Sequence, residues 1–107
     1  MSTAGEGLES HLVNEALVAY VGRGSVKRPE RREDLVRTLG GRQGEALLAL
    51  VEKVNATADE IEVEKSKAVD FSLLPVFSRE IRRVLPWLDD AAGDALCWAS
   101  RYRRFFA

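Results

Sequence analysis

Apolar residues recur along this chain at the three- and four-residue spacings of α-helices, and strand-like alternation is almost absent. The first such pattern gathers one helical face from six side chains: Leu8, Leu12, Val13, Ala16, Leu17 and Tyr20. Gly22 and Gly24 follow, and glycine commonly ends a helix because it adopts the left-handed conformation without strain. The pattern therefore predicts a first helix over about residues 8–20.

Proline and glycine divide the middle of the chain into two further helices. Pro29 suits the first turn of a short second helix over residues 30–39, which the glycines at 40 and 41 would end. From residue 44 onward, one apolar face continues for about four turns. This third helix is long, with a bend or break near Asn55 as one alternative.

The segment 57–70 leaves two alternatives open. Thr57 and Glu60 have the spacing of a capping box, in which the first side chain bonds the amide three residues on. Residues 57–70 therefore either continue the third helix or begin a separate element.

The last third of the chain is predicted to be a helical hairpin. Ser72 and Pro75 suit the start of a fourth helix, which Pro86 ends. Asp89 and Asp90 then favour the N-terminus of a fifth helix, because carboxylates stabilise that end of the helix dipole. The predicted fold class is therefore all-α: one domain over 1–107, a bundle of four to five helices ending in an aromatic-rich helical hairpin, with 1–7 disordered.

The fifth helix carries an unusually wide apolar face. Its members are Ala92, Ala95, Leu96, Trp98, Ala99, Tyr102, Phe105 and Phe106. They cover about half of the helix circumference, more than the stripe of about 100° that one neighbouring helix hides. This helix is therefore either central in the bundle or shared with another chain. We expect Trp98 and Phe106 to lie on the buried arc and Arg104 to lie opposite it.

Composition indicates a folded protein of the cytoplasm. The chain has 107 residues, 46% of them hydrophobic, and a net charge of −1, a balance typical of globular proteins. Its N-terminus lacks the features of a secretory signal, and it holds a single cysteine, Cys97, which cannot form an internal disulfide. The excess of arginine over lysine favours a bacterial source.

The residues that commonly carry chemistry have structural explanations here. His11 projects opposite the apolar face of its helix without a metal-ligand partner nearby. Cys97 lies outside the main apolar arc, and a catalytic thiol would need a base that is absent from its turn. The glycines at 22 and 24 stop a helix and lack the rest of a phosphate-loop motif. We therefore expect a protein that is not an enzyme and has no metal, cofactor or small-molecule ligand.

Two kinds of partner remain. The wide aromatic face favours a non-enzymatic protein–protein interaction module, regulatory and self-associating as a homodimer, with Trp98, Arg101, Tyr102 and Phe105 as contact candidates. The alternative is a nucleic-acid-associated regulator, because segment 23–42 holds seven cationic and three acidic residues and the C-terminus alternates arginine with aromatic residues. Its candidates are Lys27, Arg28, Arg31 and Arg32. A membrane partner is not expected, because a domain this small needs its aromatic residues in the core.

Overall fold

The computed structural model describes residues 3–5, 7–68 and 74–106, and the side chains of residues 7–61 and 79–103. In these ranges two short strands and five α-helices follow one another: β1 (Thr3–Gly5), β2 (Leu8–Glu9), α1 (Ser10–Val21), α2 (Glu33–Gly40), α3 (Gly44–Ala68), α4 (Leu74–Val84) and α5 (Asp90–Phe106). One 3₁₀ turn, Gly41–Gln43, joins α2 to α3. The radius of gyration of 13.3 Å is close to the value of about 13 Å expected for a compact domain of this size. The predicted all-α class is confirmed.

Aliphatic side chains form most of the core of the described structure, and Tyr20 is the one aromatic residue among its buried members. Helix α5 contacts α1, α3 and α4, and its innermost positions include Ala92, Ala95 and Ala99. Small side chains at these positions permit a close approach of neighbouring helices. Trp98 is half-buried and packs against this core, so its predicted burial is only partial. Phe106 and Arg104 lie outside the described side chains.

Helix α1 ends as the sequence predicts. Gly22 has a φ of 78°, in the left-handed region, and its amide donates to the Val18 carbonyl at 3.1 Å. The start differs, because Leu8 belongs to β2 and is fully buried there, while the helix begins at Ser10. The pairing of β1 with β2 is antiparallel. Strand β1, Thr3–Gly5, lies within the segment 1–7 for which disorder was expected.

The connector between α1 and α2, residues 22–32, explains why the second helix starts later than predicted. The amide of Glu30 donates to the Val21 carbonyl at 3.0 Å, and the amide of Arg32 donates to the Tyr20 carbonyl at 2.9 Å. These bonds satisfy carbonyls that the last turn of α1 leaves without a helical partner. The connector must run back along the end of α1 to make them, so α2 begins only at Glu33 and Pro29 lies outside it.

Helix α3 continues without interruption to Ala68, which answers the question left open for residues 57–68. Two polar side chains within it bond backbone carbonyls one turn earlier. Asn55 Nδ2 donates to the Val51 carbonyl at 2.9 Å, and Thr57 Oγ1 donates to the Lys53 carbonyl at 3.0 Å. Such bonds are compatible with a helix, so neither the break near Asn55 nor a separate element is present up to residue 68.

The connection between α4 and α5 is held by polar contacts. Asp89 Oδ1 accepts a hydrogen bond from the Ala92 amide at 2.8 Å and so caps α5, as its position in the sequence predicts. Arg82 of α4 forms an ion pair with Asp90 of α5. The side chains at 71–78 and 104–107 lie outside the described residues, so the aromatic character of this hairpin stays a prediction.

Among the helices described, none is long and apolar enough to cross a membrane.

Candidate interaction surfaces

Helix α1 lies between two concave surfaces. The larger, here called the α1 groove, has a volume of about 400 Å³ and runs along the outer face of α1 between the start of α2 and the start of α5. The smaller, here called the Tyr20 cleft, has a volume of about 250 Å³ and is lined by residues of α1, α2, α3, α5 and the connector. Tyr20 and the groove residues lie on opposite sides of the α1 wheel, so the two surfaces face in different directions.

The α1 groove has an apolar floor and charged ends. Val18 and Ala19 of α1 line it, together with Leu35 of α2, which is 40% exposed. At the end nearer the start of α1, the groove is lined by the carboxylates of Glu15 and Asp89. At the opposite end it is lined by two guanidinium groups, from Arg23 and Arg32. The groove therefore has two carboxylates at one end and two guanidinium groups at the other, and each guanidinium group also has an acidic partner within the chain, Asp94 for Arg23 and Glu30 for Arg32.

Arg23 connects the basic end of the groove to α5. Its Nε donates to Asp94 Oδ2 at 2.8 Å, and its guanidinium carbon lies 5.0 Å from the centre of the Trp98 ring. Asp94 and Trp98 are one helical turn apart, so a single arginine contacts both. The two contacts join the connector to α5, and they extend the groove surface onto the half-buried indole.

The other predicted protein-contact residues lie along the same helix. Arg101 and Tyr102 are half-buried, and Phe105 lies in the last turn of α5 with its side chain outside the described residues. Arg103, one of the arginines of the C-terminal arginine/aromatic pattern, already has a structural partner. Its Nη2 donates to Asp59 Oδ1 at 2.8 Å, and its Nε lies 3.2 Å from both carboxylate oxygens.

The four nucleic-acid candidates do not form one patch. Lys27 and Arg28 are exposed on the connector. Arg31, also exposed, lines the Tyr20 cleft, whereas Arg32 is half-buried, lines the α1 groove and donates from its Nε to Glu30 at 3.0 Å. Arg31 and Arg32 thus line different concave surfaces beside α1, although both also line a third one at the start of α2.

Tyr20 and Asn55 form the buried wall of the Tyr20 cleft. Tyr20 is 5% exposed and Asn55 is 7% exposed. Burial raises the pKa of the Tyr20 hydroxyl above its usual 10.0, and the neighbouring carboxylate of Glu52 adds to that rise. Among the described residues, Asn55 Oδ1 is buried and accepts no hydrogen bond.

The residues weighed for catalysis are not brought together. His11 is exposed on α1, as predicted, and lines the α1 groove. Cys97, which we expected to be partly buried beside the main apolar arc, is buried within the core. In the part of the chain that the structure describes, no three histidine, cysteine or carboxylate side chains converge as a metal site would require.

The sequence analysis assigned no buried polar contact to two asparagines of the helices. Asn14 and Asn55 each lie beside the apolar positions of a helix, and a lone polar residue at such a position is the signal that was available. Burial of an amide is costly unless it is hydrogen-bonded, so its presence there indicates a specific partner. The identity of that partner depends on distant parts of the chain.

No family model, curated protein or solved structure matches this chain.

Proposed function

We propose that this chain is a non-enzymatic interaction module that self-associates as a homodimer through the α1 groove. The order of charges along the groove carries the proposal. A two-fold symmetric interface brings the same patch of both copies together in opposite directions, so the acidic end of one copy meets the basic end of the other. A surface with this charge order is complementary to itself.

The spacing along α1 fits that arrangement. Ala19 lies midway between Glu15 and Arg23, which are four residues away on either side. With a rise of about 1.5 Å per residue, Glu15 lies about 6 Å before Ala19 along α1. Arg23 lies beyond Ala19 in the connector, after the left-handed Gly22 that ends the helix. In this proposal two α1 helices cross antiparallel near Ala19, which brings Glu15 of each copy toward the partner's Arg23. The small side chain of Ala19 permits a close approach of the two helices.

Residues near the groove extend this surface onto α5. Trp98 lies beneath Arg23, and tryptophan and arginine are among the residue types that contribute most to binding in protein interfaces. Arg101, Tyr102 and Phe105 continue along the same helix and remain contact candidates. In this proposal the helices form a single-domain bundle whose last two helices are an aromatic-rich hairpin, and the module is a cytoplasmic protein.

Substitution of one small groove residue tests the proposal. Ala19→Arg places a large charged side chain at the crossing point and is expected to convert the dimer to a monomer, as measured by light scattering coupled to size exclusion. Ala49→Arg is the control, because Ala49 is also a helical alanine but lies on α3 outside the groove; Ala49 is exposed, whereas Ala19 is half-buried. Both variants should retain the circular dichroism of the wild type. A wild type that is monomeric at high micromolar concentration would overturn the proposal.

A charge exchange tests the proposed pairing itself. Glu15→Arg is expected to weaken association, because two basic ends then face each other. The double variant Glu15→Arg with Arg23→Glu should recover it, since the pairing is then reversed. If the single and the double variant associate equally well, the order of charges along the groove does not contribute to dimer formation.

A second candidate function rests on the exposed cations of the connector. Lys27 and Arg28 are adjacent and exposed, and neither takes part in an ion pair among the described residues. Phosphate contacts release counterions, so nucleic-acid binding through them would weaken steeply as salt rises. Lys27→Glu with Arg28→Glu should then reduce binding to any sequence, while Lys53→Glu on α3 should not. Absence of binding at physiological salt would exclude this candidate.

A further inference from the structure

The only histidine of the chain lies in the α1 groove. His11 is in the first turn of α1, its side chain is exposed, and it lines the groove. Histidine is the side-chain type that ordinarily changes its charge between pH 5 and 8, whereas carboxylates and guanidinium groups keep theirs in that range. Among the residues that line the groove, His11 is therefore the one through which a mild change of pH alters the charge.

His11 belongs to the end of the groove that holds the two carboxylates. Glu15 follows it by four residues, so the two exposed side chains lie on the same side of α1, one turn apart. Asp89 reaches this end because its amide donates to Asn14 Oδ1 at 3.0 Å, and its Oδ1 accepts from the Ala92 amide. Glu15 takes part in no ion pair among the described residues, so its charge is available to a cation brought against the groove.

The other elements packed against α1 place their charged side chains elsewhere. Helix α2 contributes only Leu35 to the groove, and Glu52 of α3 lines the Tyr20 cleft. Glu9 of β2 is exposed and does not line the groove. Two carboxylates in the first turns of α5 are already in ion pairs, Asp90 with Arg82 and Asp94 with Arg23. Within its own chain, the charged groups nearest His11 in the groove are therefore acidic.

The proposed homodimer brings cations to this end of the groove. An antiparallel crossing of the two α1 helices places it against Arg23 of the partner subunit and Arg32 of the partner subunit. A protonated imidazole would repel these guanidinium groups, and it would compete with them for the carboxylate of Glu15. We propose, on the basis of that homodimer, that proton uptake by His11 releases the two copies from each other. Protons are thus the regulator of self-association, which is stronger at pH 7.5 than at pH 5.5.

Sedimentation velocity of the full chain at pH 7.5 and pH 5.5, at equal ionic strength, tests this regulation. The dissociation constant of the wild-type dimer should rise by about fivefold to twentyfold at pH 5.5, because an exposed charge contact changes affinity only a few-fold and a two-fold interface contains it twice. His11→Gln should keep strong association at both pH values, and His11→Lys should associate weakly at both. Lys53→Gln, at an exposed position of α3 outside the groove, is the control and should respond to pH as the wild type does.

The outcomes separate this regulation from the homodimer itself. A dimer with the same dissociation constant at both pH values overturns the role of His11 and leaves the homodimer in place. The same conclusion follows if His11→Gln keeps the pH response of the wild type. A wild type that is monomeric at pH 7.5 and high micromolar concentration overturns both proposals. Circular dichroism should be unchanged between the two pH values, and a loss of helicity at pH 5.5 would count against a release of folded copies.

Discussion

Asn14 in α1 donates a hydrogen bond of 3.0 Å from its Nδ2 to the backbone carbonyl of Trp87, 73 residues away in the sequence. Its Oδ1 accepts a second bond of 3.0 Å from the Asp89 amide. Because Asp89 in turn caps α5, one buried side chain of α1 fixes the turn that leads into the last helix. The bundle therefore depends on a polar contact at the edge of its apolar core.

Replacement of Asn14 by leucine should destabilise the fold by about 2–4 kcal/mol. The variant leaves the Trp87 carbonyl and the Asp89 amide without their partner, and each buried, unpaired group costs about 1–3 kcal/mol. Urea unfolding followed by circular dichroism measures the loss. Lys53→Leu, a polar-to-leucine change at an exposed helical position, should stay within about 0.5 kcal/mol of the wild type. Equal stability of the two variants would contradict the role given to Asn14.

Two glycines of the helices should respond in opposite directions to alanine. A Cβ at Gly44 would lie 2.5 Å from the Arg37 carbonyl oxygen, a backbone atom that cannot move without shifting α2. Gly44→Ala should therefore cost about 1–3 kcal/mol. A Cβ at Gly93 meets only Leu88 Cδ2, at 3.7 Å, so Gly93→Ala should be neutral or stabilise α5 by up to about 1 kcal/mol. Thermal melts of the two variants give the comparison, and a tolerated Gly44→Ala would show that α2 and α3 are not in such close contact.

The contact between Arg23 and Trp98 should appear as a coupling energy. Trp98 is half-buried, so Trp98→Ala should cost about 1–3 kcal/mol, less than full burial of an indole would imply. A double-mutant cycle with Arg23→Ala should give a coupling of about 0.5–1 kcal/mol, as expected for a cation–π pair near the surface. A cycle that combines Trp98→Ala with Lys27→Ala is the control and should give no coupling energy. Additive effects in the Arg23 cycle would mean that the guanidinium group does not lie on the ring in solution.

Burial of Tyr20 should make the fold sensitive to high pH. Its pKa is raised above 10.0 in the folded chain, chiefly by desolvation. A raised pKa means that the folded state favours the protonated phenol, so this contribution to stability is complete below the unfolded pKa and is lost as pH rises through the folded pKa. Between about pH 9 and 12, the wild type should therefore lose unfolding free energy faster than Tyr20→Phe. Parallel pH profiles for the two proteins would contradict this prediction.

The sequence predicted those features that depend on local geometry. The end of α1 follows from the conformational freedom of Gly22, and the start of α5 follows from the carboxylate of Asp89 at a capping position. Both signals act within a few residues of the chain, so they can be recognised without knowledge of the fold. Local signals did not predict whether α3 is continuous, because the capping-box spacing that begins at Thr57 is found at helix starts and also inside helices.

Features that depend on distant residues were predicted less well. The start of α2 is set by backbone bonds from the connector to α1, which override the local preference of Pro29 for a first helical turn. Trp98 packs against the core but stays half-buried, and how far a residue of a wide apolar face is covered depends on which helices the fold packs against it. Asn14 and Asn55 have roles that depend on which groups the fold brings beside them.

The bonds from the connector to Tyr20 and Val21 also determine how this part of the protein opens. An isolated helix frays at its last turn because the carbonyls there have no hydrogen-bond donors. In α1, two of these carbonyls accept hydrogen bonds from the backbone amides of Glu30 and Arg32. Release of the last turn of α1 and release of the connector are therefore one event. In native-state hydrogen exchange, the amides of Glu30 and Arg32 should exchange with the same opening free energy as each other, as members of a single cooperative unit.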